Sequence, residues 1–347
     1  MEFKEALLAS ANAYPLMQPQ DIVKLAYQSE YGGGHLISDI FAARNALMDE
    51  WQEACPCGTL FEDISGGFCR LYLGDAREKG LSPSTLFRIF ISSAKPSGSS
   101  EGFYAKLDTA RELALSKMLP VAADALDEYI STYKANGCPL VSHSDAYHKA
   151  YRPAYRIVSK AYCRYLQLFI EIDRLLSKCS APIIGIDGNA AAGKTTLSKY
   201  IAAIYPCNVI HADSFFLPPQ KRTQSRLSEA GGNIDYERLQ EEVLCKLPTE
   251  KPFSYRIFSC AIMDFVGEEY IQPMLPVIVE GSYALHPYFK NIYSLRVFVS
   301  IDAPSQAKRI EKRNGAEMLR RFTDTWIPME QKYFDAYNIP ESCELVF

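Results

Sequence analysis

The stretch IIGIDGNAAAGKTTLSKYI, residues 183–201, constrains this chain more than any other. An isoleucine-rich run leads into a loop of small residues, and Lys194-Thr195-Thr196 opens a helical pattern. Gly188-Asn189-Ala190-Ala191-Ala192-Gly193-Lys194-Thr195 satisfies G-x-x-x-x-G-K-S/T in the strand–loop–helix setting that gives the pattern its physical meaning. Glycines let successive backbone N–H groups turn inward on a phosphate, and the helix amino terminus adds the positive end of its dipole. Residues Gly188 to Thr196 are therefore expected to cradle a nucleotide's phosphates. Lys194 would reach the β- and γ-phosphates and the Thr195 hydroxyl would ligate a metal, so the expected cofactors are ATP and Mg2+.

The spacing of apolar residues changes near residue 180. Before it, DIVKLAYQ, FAARNALMDEWQEA, VAADALDEYISTYKA and the long PAYRIVSKAYCRYLQLFIEIDRLLSK carry apolar residues three and four apart, the period of a helix. After it, the short runs PIIGID, NVIHA, PVIVEG and SLRVFVSI alternate with helical patterns, the order of a parallel sheet covered by helices. Pro182 ends the long helix. The expected architecture is a mainly α-helical domain over 1–178, followed over 179–347 by an α/β domain with a parallel sheet flanked by helices.

Composition removes several functions. With 347 residues, 48% hydrophobic and 22% charged, the chain can bury two cores. A net charge of −4 and no long basic stripe argue against nucleic acid or an anionic membrane as partner. Ten scattered cysteines without a C-x-x-C pair read as reduced thiols. There is no basic n-region before an apolar core at the amino terminus, and no run of roughly 18–20 apolar residues, so a cytoplasmic protein is expected.

Later strands offer acceptor chemistry. VIHADSFF places Asp213, and PVIVEG places Glu280, at the carboxyl ends of β runs, where open α/β sheets gather ligands. Asp213 suits a base that takes the proton of an attacking hydroxyl and a second-sphere metal ligand; Glu280 suits an acid that holds the Mg2+ shell. Alone, either would read as a solvated loop acid. Arg309 and Arg313, four apart on one helical face, suit a segment that neutralises the transferred phosphate, or else a solvated face beside Glu311.

From residue 183 onward the sequence resembles the uridine kinase and phosphoribulokinase family of P-loop kinases, in its bacterial uridine kinase-like branch. The matching stretches are GIDGNAAAGKTTLS, VIHADSFFLPPQKRT, GGNIDYERLQEEVL, FSYRIFSC, VIVEGSYALHP, RIEKRNG and FTDTWIPMEQKYF. This resemblance implies that Asp213 is the general base toward a primary hydroxyl, that the Arg309/Arg313 segment is a lid over ATP, and that Asp235, Tyr236 and Tyr255 line the sugar pocket. Two positions depart from the family: Arg256 stands where uridine kinases carry an acid, and Cys260 where they carry a histidine. Arg256 suits an anionic acceptor, and a cysteine is a poor partner for a base edge. Arg256 reads equally as a surface pair with an acid such as Glu269.

The first 178 residues resemble no family of known activity. YGGGHLISD could hold an anion and HSDAYHKAYRPAYR could stack on a planar ligand; the same residues suit a helix cap and half-buried packing. The spacing of His35, His143 and His148 matches no zinc motif. The expected function is an ATP-dependent kinase acting on a hydroxyl of a small molecule. The alternative is an ATP-binding regulatory module whose amino-terminal domain engages a partner. Oligomeric state stays open, a homo-oligomer included.

Overall fold

The computed structural model describes residues 1–37, 39–94, 98–179, 181–249, 251–289 and 291–347, with the side chains of His35 and Leu36 outside the description. The chain divides into two compact units, Met1–Asp173 and Arg174–Phe347. That division lies within the helix Leu166–Lys178, ahead of the 178/179 boundary read from the sequence.

In the first unit the helices Phe3–Ala13, Pro19–Tyr31, Ser100–Leu115 and Ala123–Ala135 bury Leu7, Ile22, Leu25, Phe103, Leu107, Leu126 and Ile130 in one apolar core. Local chemistry sets their starts. Pro19 occupies the first turn behind a reciprocal Gln18–Asp21 box, and the Ser99 side chain accepts the Gly102 N–H. The unit also holds a three-stranded antiparallel sheet, β1 (Phe61–Asp63), β2 (Phe68–Tyr72) and β3 (Tyr155–Ser159), in the order β1-β2-β3. This corrects the single long helix expected from Pro153 onward. Ile157 and Val158 pair across from Arg70 and Cys69 as strand residues, and helix resumes only at Lys160–Arg164 and Leu166–Lys178. Cross-strand burial of β-branched side chains outweighs a helical spacing here.

The second unit carries β4 (Ile183–Gly188), β5 (Asn208–His211), β6 (Phe253–Ser259), β7 (Asp264–Ile271), β8 (Val277–Glu280), β9 (Leu295–Val299) and β10 (Leu345–Val346). Five form a parallel sheet in the order β10-β9-β4-β8-β5, while β6 and β7 form a separate antiparallel hairpin. The expected α/β class and the four strand runs named above are what the structure shows. β4 and β8 are buried along their whole length, as strands covered on both faces must be. The helix Lys194–Ile204 follows β4, and Ala303–Asn314 follows β9, its start capped by the Asp302 carboxylate on the Ser305 N–H. Register sets Ile186 and His211 on either side of Glu280, so the carboxyl ends of β4, β8 and β5 lie side by side. Among the described residues no helix is long and apolar enough to cross a membrane.

Candidate active site

Glycine is required where β4 turns into the loop. Gly188 has φ +140, and a Cβ there would lie 2.0 Å from the Val299 carbonyl oxygen. Gly193, at φ +111, starts the helix Lys194–Ile204 and Ala191 takes a left-handed φ of +59. Lys194 is buried and folded across the loop, its ammonium donating to the carbonyls of Gly188 at 2.6 Å and Asn189 at 3.0 Å.

The Thr195 hydroxyl donates to the Glu280 carboxylate, at 3.1 and 3.3 Å from its two oxygens. His211 Nδ1 lies 2.5 Å from Glu280 Oε1, and this bond raises the imidazole's pKa against the opposing effect of burial. Asp213 follows in the turn Ala212–Phe215, and its Oδ1 accepts the Ser282 N–H at 3.4 Å. Its own atoms meet solvent, yet the protein packed around it pushes its carboxyl above the ordinary range. Lys194 opposes that shift and the Glu280 charge adds to it. Thr195, Glu280 and Asp213 thus gather at one sheet edge as oxygen donors suited to Mg2+, which takes one or two carboxylates and completes its shell with phosphate and water. Among the described residues no group of three His, Cys, Asp or Glu side chains is arranged to hold a metal by itself.

Two buried acids complete the loop's support, and the sequence reading passed over both. Asp187 is fully buried at the end of β4 and accepts from the N–H groups of Gly188, Tyr283 and Leu285 at 2.7, 3.2 and 3.1 Å and from the Tyr333 hydroxyl at 2.9 Å. Burial raises its pKa; Lys194 and these donors oppose the rise. Glu330 accepts the loop's Ala190 N–H at 3.0 Å with one oxygen and the Ser282 hydroxyl at 2.8 Å with the other. An acid inside the apolar run IIGID, and Glu330 and Tyr333 three apart on one helix face, were the available signals.

The helix after β9 lies along the loop. Gln306 donates to the Ala190 carbonyl at 3.0 Å, and Arg309 to the carbonyls of Ala191 and Ala192 at 3.1 and 3.2 Å. Arg313 is exposed and bonds Asn314.

On the acceptor side, Asp235 is buried, caps the helix Tyr236–Glu242 and binds Lys221 at 2.9 Å through both oxygens. Tyr236 lies under the Arg226 guanidinium, 3.6 Å from ring centre, and stacks on His286 at 4.6 Å. Tyr255 is buried against Phe215, and burial pushes its phenol up to about 12. Arg256 is half exposed and bound to Glu242, with Nε 2.8 Å and backbone N 3.0 Å from the two carboxylate oxygens. Glu269 stands opposite Tyr255 in the hairpin.

In the first unit, His143 is sandwiched between Asp21 Oδ1 at 2.8 Å and the Tyr155 hydroxyl at 2.6 Å and stacks on Tyr147 at 4.0 Å. Burial pushes it down to about 4. Gly32 ends the helix Pro19–Tyr31, its N–H on the Gln28 carbonyl.

No family model matches the chain. It is 25% identical over 175 residues to uridine-cytidine kinase C of Dictyostelium discoideum, which spans 48% of this chain and 39% of that protein. Among solved structures, a candidate fructose transport system kinase from Silicibacter sp. TM1040 aligns at 19% identity and a TM-score of 0.40, covering 48% of this chain and 89% of the other. A candidate uridine kinase from Bacillus stearothermophilus aligns at 17% identity and a TM-score of 0.38, covering 52% and 99%. By its loop motif, its sheet and this sequence similarity, the chain carries a P-loop kinase fold that resembles the uridine kinase and phosphoribulokinase family over about half of its length.

Proposed function

We propose that the second unit transfers the γ-phosphate of ATP to a hydroxyl group of a small nucleoside-like or other metabolite. The observation that supports this most is the joining of Thr195, Glu280 and His211 in one hydrogen-bonded chain beside Asp213. Phosphoryl transfer asks little covalent chemistry of a protein: it must hold the phosphates, offset their charge and accept one proton. The loop N–H groups and the helix amino terminus bind the phosphates. Lys194 exchanges its two carbonyl partners for phosphate oxygens, and Arg309, already docked on the loop, adds a second cation. Mg2+, when bound through Thr195 and Glu280, neutralises phosphate charge. Asp213 takes the acceptor's proton, and the upward shift of its pKa moves it toward the working range of a general base.

The test is ADP release from ATP·Mg2+ with a panel of nucleosides, sugars and their phosphates, in wild type and Asp213→Asn. Acceptor-dependent release that falls roughly 10² to 10⁴-fold in the variant, with ATP binding retained, supports transfer to a hydroxyl. Release that needs no acceptor and ignores the substitution would favour a nucleotide-driven regulatory module instead.

A further inference from the structure

β5 and β8 run side by side, and their last residues, His211 and Glu280, are register partners. Glu280 is buried, whereas the His211 side chain keeps 46% of its surface in solvent. A carboxylate oxygen only accepts, so the 2.5 Å bond between His211 Nδ1 and Glu280 Oε1 is donated by the ring. Thr195 reaches the same carboxylate in another way. Its hydroxyl lies 3.1 Å from Oε1 and 3.3 Å from Oε2 and has one proton to share between them. A hydroxyl proton rotates and can leave both oxygens to a metal; a ring N–H is fixed in its plane and stays on Oε1.

Mg2+ and Ca2+ ask different things of that carboxylate. Mg2+ demands a tight octahedron and keeps several waters, whereas Ca2+ takes roughly six to eight oxygens and accepts both oxygens of one carboxylate. We infer that His211 is a positioning residue that selects the metal: by holding Oε1 it leaves Glu280 a single oxygen to give, which suits Mg2+ and denies Ca2+ a two-oxygen grip. Specificity is a difference between two affinities, gained here by withholding a contact from the wrong ion. The inference rests on the kinase reading above, in which Thr195 and Glu280 hold the metal of the bound nucleotide.

The test reads binding and needs no turnover. ADP is titrated calorimetrically into the full chain in chelator, in saturating Mg2+ and in saturating Ca2+, for wild type, His211→Ala, His211→Val and His211→Asn. Metal binding to free ADP is common to all four proteins and cancels when they are compared. In wild type, Mg2+ should tighten ADP binding more than Ca2+ does. That advantage should shrink about 10-fold in His211→Ala, the scale on which partners of metal ligands act, because Ca2+ gains Oε1. His211→Val also lacks the donor and suits a strand end, so it repeats the measurement should the alanine variant fold poorly. His211→Asn, whose amide sets an N–H as many bonds from the backbone as Nδ1, should keep the wild-type preference. ADP affinity in chelator, equal in all four, shows that the loop is intact. An unmoved preference in both donor-free variants, an equal change for the two metals, or an asparagine variant that behaves like alanine would overturn the inference. The kinase reading fails separately, through ADP release that needs no acceptor and ignores Asp213→Asn, whatever the metal preference.

Discussion

Glu330, on the helix Ile327–Tyr337, accepts the backbone N–H of Ala190 and so fastens the phosphate-binding loop to a helix 140 residues further along the chain. Its other oxygen holds Ser282 in the turn after β8, so one buried carboxylate sets the spacing between two walls of the site. Glu330→Ala strands a buried N–H and a hydroxyl. It is expected to lower stability by about 1–3 kcal/mol and to weaken ATP binding. Glu330→Gln keeps an acceptor oxygen and should recover most of both. Thermal melts with nucleotide titration check this, and an alanine variant equal to wild type in both would remove the tether.

Among the described residues Lys194 hydrogen-bonds only loop carbonyls, so its loss removes no apolar packing, although it takes a cation away from buried Asp187 and Glu330. Lys194→Ala should retain the wild-type circular dichroism spectrum and melt cooperatively, yet lose ATP-dependent transfer. Activity within a few-fold of wild type would take the loop out of the mechanism.

Gly188→Ala is expected to be far worse for folding than its size suggests. The added carbon meets the Val299 carbonyl oxygen at 2.0 Å on a backbone at φ +140, and neither strand can retreat without opening the β4–β9 ladder. Loss of more than about 1 kcal/mol follows from the backbone conformation alone. A soluble variant melting with wild type would contradict the close approach.

His211 gives the fold a pH dependence of known sign. Its pKa is raised in the folded chain by the Glu280 bond, so the pair's stabilisation is complete below the ordinary imidazole value of 6.5 and is lost as pH rises through the higher folded value. The gap in stability between wild type and His211→Asn should therefore narrow as pH is raised from 6.5 into the alkaline range. Buried His143 and His286, both shifted the other way, act equally in the two proteins and drop out of the difference. Urea unfolding across that range measures it; a gap that widens would reverse the assignment.

The loop and the two acids at the sheet edge were legible because their meaning is local: a motif between a strand and a helix, or an acid at the end of an apolar run. Asp187 and Glu330 were not, because what they do is defined by partners 48 to 146 residues away. The same limit explains the acceptor side. Sequence shows that Asp235 and Arg256 are charged, but not that Lys221 and Glu242 already occupy them. In the first unit, Tyr155–Ser159 kept a helical spacing while its pairing with β2, far back in the chain, made it a strand.

The position of β4 in its sheet has a consequence in time. It is the first strand of its sheet along the chain, yet its neighbours on either side, β8 and β9, begin at Val277 and Leu295. A growing chain therefore carries its phosphate-binding sequence for some hundred residues with no strand on either flank, and contacts this distant are slow to close. Gly188 finds its β9 neighbour, and Ala190 its Glu330, only when the far end of the chain has arrived. Nucleotide binding is thus a late acquisition on the folding route, and a chain halted before β9 would display the full motif and hold no phosphate.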